Sequence, residues 1–186
     1  MRLLNALIAT LDAATALFGK AIAWLVLFMV VVTFVNVVTR YVYGVSLIAL
    51  YESVLYAFAM VLTGAAGWAL MHDEHVRVDI FYRGMSPRAQ AAVNMLGCVF
   101  LLGPVLWLIW TRGYPYVLRS WRLGEGSNEI AGLPFLYVLK SFILVFVAVL
   151  AVQGLSFLLK NLRTLLTGEA PPTPVERHAR HEESAS

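Results

Sequence analysis

Four long apolar runs separated by short polar breaks set the pattern of the chain, at about residues 21–38, 46–70, 89–110 and 133–159. Each is long enough to cross a bilayer, since about 20 helical residues at about 1.5 Å each cover the hydrocarbon core. The first closes with Thr39-Arg40-Tyr41, and Val42-Tyr43-Gly44-Val45 is too short for a domain, so the first two spans form a tight antiparallel hairpin. Before the third, Gly84-Met85-Ser86-Pro87 reads as a turn and helix start, with Ser86 as N-cap and Pro87 as first helical residue. Gly103-Pro104 inside that span predicts a kink, tolerated where neighbouring helices re-satisfy the freed backbone. The fourth run exceeds what a core of about 30 Å needs, so it tilts or begins outside the membrane.

Ahead of these spans, residues 1–20 place Leu3, Leu4, Leu7, Ile8, Leu11, Leu17 and Phe18 on one helical side. Arg2, Asn5, Ala9, Asp12, Ala16 and Gly19 fall on the other, the pattern of an amphipathic helix lying in the membrane interface. A secretory signal is the rival reading, with Ala14-Thr15-Ala16 as a cleavage site, but Asn5 and Asp12 interrupt the apolar run and only Arg2 supplies a basic start. At the other end, residues 167–186 carry Pro171, Pro172 and Pro174 amid mixed charges and read as a disordered tail. The fold class is therefore all-α integral membrane, with four transmembrane helices within 21–166 preceded by an interfacial amphipathic helix.

Composition supports this. The chain is 60% hydrophobic and 13% charged, against roughly 25% charged in an average soluble domain. A net charge of +3 gives no footprint for nucleic acid. Basic residues sit at span ends, where they set topology. With the N-terminus inside, nine Lys and Arg fall on the inner face and five on the outer, which places both termini in the cytoplasm. Cys98, alone and mid-way along an apolar run, reads as a small buried hydrophobe. No internal repeat is visible, so the inverted-repeat signature of a self-contained transporter is missing.

Charges inside such spans need a physical reason. Glu52 lies six residues past Ser46, and Lys140 six past Pro134, so both fall at similar depth near the outer face. An unpaired charge in the core costs several kcal/mol. A Glu52–Lys140 pair, or pairing of each with a partner protein, would offset that cost; otherwise both sit shallow and Lys140 snorkels to water. The run His75-Val76-Arg77-Val78-Asp79, just past the second span, reads as a solvated loop with a topogenic arginine. His72 and His75 share that loop, and His178 and His181 lie in the tail. A haem held between helices needs histidines on facing helices, so neither a haem nor a metal site is expected. Ala59, Thr63 and Gly67 recur every four residues, spacing that permits close helix approach. Tyrosines and tryptophans cluster near outer span ends as an aromatic belt. Nucleotide loops, nucleophile triads and redox motifs are absent from the sequence, so neither an enzyme nor a cofactor is expected.

The order of these features resembles the small membrane subunit of TRAP transporters, the tripartite ATP-independent periplasmic carriers. It comprises Arg40-Tyr41 closing the first span, Glu52 early in the second, Gly64-Ala65-Ala66 late in it, His75-Val76-Arg77-Val78-Asp79 after it, and Leu133-Pro134 opening the fourth. The stretch from Gly124-Glu125-Gly126-Ser127 through Leu139-Lys140-Ser141 to Gln153-Gly154 looks like the branch linked with mannitol, chloroaromatic and 2-oxo acid uptake. The resemblance implies an inner-membrane protein and three partners: a large M-type membrane subunit, a periplasmic substrate-binding protein and membrane lipids. The binding protein would capture an organic acid, and the large subunit would move it with sodium in an elevator motion. The small subunit would brace that scaffold without catalysis and help dock the binding protein. By family position, Arg40, Tyr41, Glu52, His75, Arg77 and Asp79 become candidates for helix locking or subunit contact, and Lys140 joins them by depth and branch. Two alternatives compete: the membrane anchor of a respiratory enzyme, and a small self-assembling channel, which would need a polar stripe along one helix.

Overall fold

The computed structural model describes residues 2–72 and 84–168. Those residues are helical apart from short turns and loops, and four helical stretches are long and apolar enough to cross a membrane. Helix α1 spans Arg2–Tyr43 and α2 spans Ile48–His72. Next come α3 (Pro87–Gly97), a π-helical turn (Cys98–Leu102) and α4 (Gly103–Leu123), and then α5 (Leu136–Thr167). The last is the hub. It packs against α1, α2, α3 and α4, while α1 and α2 also pack closely on each other.

The expected hairpin forms between α1 and α2. The chain reverses at Gly44, in the left-handed region at φ +69°, and the Asn36 side chain accepts the Leu47 N–H at 3.0 Å. Ser86 caps α3 by accepting the Ala89 N–H at 3.4 Å, with Pro87 in the first helical turn. At Gly103-Pro104 the disruption takes a specific form. Proline has no N–H and its ring crowds the preceding turn, so the five residues before Gly103 widen into a π turn, closed by the Gly103 N–H donating to the Cys98 carbonyl. Helix continues on both sides.

One expected boundary is not there. The sequence pattern divides residues 1–20 from a first span at 21, but α1 runs unbroken through Gly19-Lys20-Ala21. Its 42 residues would extend about 63 Å, more than the roughly 40–45 Å of a whole bilayer. Along its N-terminal part, Asp12 and Thr15 are buried together with Ile8, whereas Leu3, Leu7 and Leu17 are exposed. The same inversion holds elsewhere, since Thr63, Ser120, Gln153, Ser156, Asn161 and Thr164 are buried while Trp24, Phe34, Phe100 and Trp107 face outward. Where the surrounding solvent is lipid, apolar burial brings helices together weakly, and small residues and interhelical hydrogen bonds hold them instead. Gly67 shows the first device. A Cβ there would run into Val149 of α5 and approach Thr15 of α1, so the Ala59, Thr63, Gly67 spacing marks where α2 meets its neighbours.

Candidate functional site

Two polar assemblies stand out, one at each end of α5. The first is built on Glu52, one turn into α2 and buried. Its Oε1 accepts the Ser127 hydroxyl, and its Oε2 accepts the Leu133 backbone N–H at 2.5 Å. Both acceptors are thus used by the loop joining α4 to α5. That loop is tied to itself as well, through Ser127 N–H to Leu133 O at 3.1 Å and Tyr137 N–H to Glu125 O at 3.3 Å. Gly132 is required by closeness: a Cβ there would collide with the Ser127 side chain and come within 2.8 Å of Glu52 Oε1. An ionised carboxylate accepting two donors is a strong, charge-assisted arrangement.

Lys140 belongs to the same assembly but not to Glu52. Its Nζ donates to Glu125 Oε2 at 2.5 Å and sits 4.3 Å from the centroid of the Tyr116 ring. The expected Glu52–Lys140 pair is therefore replaced by two separate attachments to one loop. The loop between α4 and α5 supplies a nearer partner for each. The hydrogen bond from Lys140 holds the Glu125 carboxyl below the usual carboxylate range. The Trp121 indole N–H donates to Ser141 Oγ at 2.8 Å and closes α4 onto α5 beside this loop.

The second assembly lies between α1 and α5. Asp12 is bridged by Lys160, whose Nζ is 2.8 Å from the carboxylate, and accepts Ser156 Oγ at 2.7 Å. Gln153 Nε2 approaches the same oxygen at 3.4 Å, while Gln153 Oε1 accepts the Thr15 hydroxyl at 2.9 Å. A buried ion pair needs such extra hydrogen bonds to offset desolvation. Directly after Lys160 on α5, Asn161 Oδ1 accepts Asn94 Nδ2 of α3 at 2.9 Å. Of these residues, the sequence singles out Asp12, as a polar break in an apolar run, and Gln153, in the stretch from Gly124 to Gly154. The signal was there: Gln153, Ser156 and Lys160 recur at i, i+3 and i+7, one polar face on an otherwise apolar helix.

The remaining candidates divide. Arg40 and Tyr41 are exposed at the end of α1, with the guanidinium 5.4 Å from the Tyr41 ring centroid. Arg40 also lines a cleft between α1 and α2 with Thr33, Asn36 and Tyr51. His75, Arg77 and Asp79 lie outside the described residues. Among the described residues, no group of three or more His, Cys, Asp or Glu side chains gathers in a way that could hold a metal ion.

A family model described as "Tripartite ATP-independent periplasmic transporters, DctQ component" matches residues 29–164. The chain belongs to the DctQ family. It is thus a small permease subunit of a TRAP transporter, a multi-pass protein of the inner membrane. Searches of curated proteins and of solved structures give no match. The DctQ match covers Glu52 and its loop, Arg40, Lys140 and Lys160, and it begins after Asp12. The Asp12–Lys160 bridge therefore joins residues inside the matched region to the helical extension before it. Membership leaves the respiratory-anchor reading without support.

Proposed function

We propose that this DctQ subunit is a non-catalytic brace for the large membrane subunit of a sodium-coupled, binding-protein-dependent carrier of organic acids. Both termini lie in the cytoplasm, and the α4–α5 loop faces the periplasm. The observation that carries the reading is where the polar chemistry is used. Glu52, Asp12, Lys140 and Lys160 each join helix to helix or helix to loop, which stiffens a bundle and, among the described residues, leaves these charges engaged within it. Outward, α1 and the α3–α4 stretch present broad apolar faces suited to lipid and to another membrane protein. Arg40 and Tyr41, exposed at the end of α1, and the segment carrying His75, Arg77 and Asp79 are subunit contacts in this reading.

Reconstitution tests it. In proteoliposomes holding the large subunit, with the binding protein and an inward sodium gradient outside, organic-acid uptake should require this chain. Uptake of equal rate without it would overturn the brace reading.

A further inference from the structure

The outer half of α4 carries three arginines that none of the foregoing uses. At 3.6 residues per turn, Arg112, Arg119 and Arg122 fall within an arc of about 80° on the helix surface. Gly113, Val117 and Ser120, buried toward α5, define the other side. All three arginines are exposed, and among the described residues none forms an ion pair. Leu123 follows them, exposed at the helix end, and Ile130 is 91% exposed on the loop beyond.

Height along the helix decides what such a stripe can meet. No charge occurs from Ala89 to Thr111, so Arg88 and Arg112 bracket the membrane core and Arg112 sits at the lipid headgroups. Arg119 and Arg122 follow about 10 Å and 15 Å further along the helix axis, whereas the headgroup layer adds only about 5–8 Å on each side of the core. Those two guanidinium groups therefore stand clear of lipid phosphate. Their end of the helix is also fixed in place, since the loop after it is held by Glu52 and by the Lys140–Glu125 bridge. A rigid, lipid-clear pair of arginines followed directly by an exposed Leu has the composition of a protein-binding surface.

We propose that the lipid-clear end of this stripe, Arg119 and Arg122 with Leu123, docks an acidic face of the soluble substrate-binding protein. This rests on the topology proposed above, which puts the stripe in the periplasm. Opposite charge on the partner steers encounter and fixes register, and the interaction weakens as salt screens it. The stripe on the subunit would set how fast and in which orientation the binding protein arrives.

The test uses the complete membrane complex in nanodiscs, with the transporter's purified binding protein as the probe. Affinity is measured at low and at physiological salt. The double variant R119E/R122E should bind at least about ten-fold more weakly at low salt and lose most of its salt dependence, while R88Q, at the opposite end, should bind like wild type. Co-purification of the large subunit with each variant shows that the bundle is intact. Unchanged affinity and salt dependence in R119E/R122E would overturn the proposal, as would affinity that follows the anionic lipid content of the nanodisc and not the arginines. A separate measurement isolates topology. Ile130→Cys in a Cys98→Ala background should react with a membrane-impermeant maleimide from the periplasmic side. Failure to label would overturn the topology and the docking together, whereas labelling with unchanged affinity would overturn the docking alone.

Discussion

The Leu133 backbone N–H donates to the Glu52 carboxylate across 2.5 Å, joining two residues 81 positions apart in sequence. With the Ser127 hydroxyl on the other carboxylate oxygen, this contact makes one acid the tether of an entire loop. Glu52→Ala should then leave a shielded N–H and hydroxyl without their acceptor, at a cost of about 1–3 kcal/mol. Thermal unfolding in detergent would show the loss, and faster deuterium exchange at the Leu133 amide would locate it. Ser127→Ala, which removes one of the two donors, should show a smaller drop.

The Asp12–Lys160 bridge makes a different prediction because both charges are shielded. Lys160→Met alone should destabilise by about 3–5 kcal/mol, since it strands the Asp12 carboxylate between helices. The double change Asp12→Leu with Lys160→Met should recover much of that loss, since an apolar pair asks for no desolvation. Unfolding midpoints of the two single variants and the double variant, as a mutant cycle, give the coupling directly.

These two assemblies differ in how far the sequence revealed them. The four spans, the hairpin at Gly44 and the Ser86 cap follow from apolar run length and from turn chemistry, which act locally. Glu52 and Lys140 stood out as charges that needed partners, and depth put them at one end. Their partners were not legible because Leu133 offers a backbone N–H that no composition marks, and Ser127 and Glu125 read as ordinary loop residues. Helical periodicity puts Asp12 on a polar side of its helix, but it shows which residues share a face and not which way that face turns. In the bundle Asp12 turns inward, where it meets Gln153, Ser156 and Lys160.

Close approach gives a steric prediction. Gly132→Ala places a methyl group against Ser127 and Glu52. It should loosen the same loop as Glu52→Ala, and the two changes combined should cost less than their sum because they break one contact. Gly67→Val should push α2 from Val149, at a cost of about 1–3 kcal/mol for overpacking. Unfolding midpoints of the single and combined variants check both statements.

Acidification should act on the Lys140–Glu125 bridge. The folded carboxyl titrates below its ordinary range, so the bridge contributes fully at pH above that range and is lost as pH falls through the lowered value. Midpoint differences between wild type and Lys140→Met should therefore be constant from neutral pH to about pH 5 and shrink at lower pH. A difference that grew on acidification would contradict this sign.

The central claim is that the bundle braces a larger TRAP subunit, and purification from the native membrane in a gentle detergent tests it most directly. Mass spectrometry of the recovered material should identify a stoichiometric, much larger polytopic membrane protein bound to this chain. Recovery alone as a homo-oligomer, or together with a redox subunit, would contradict the account.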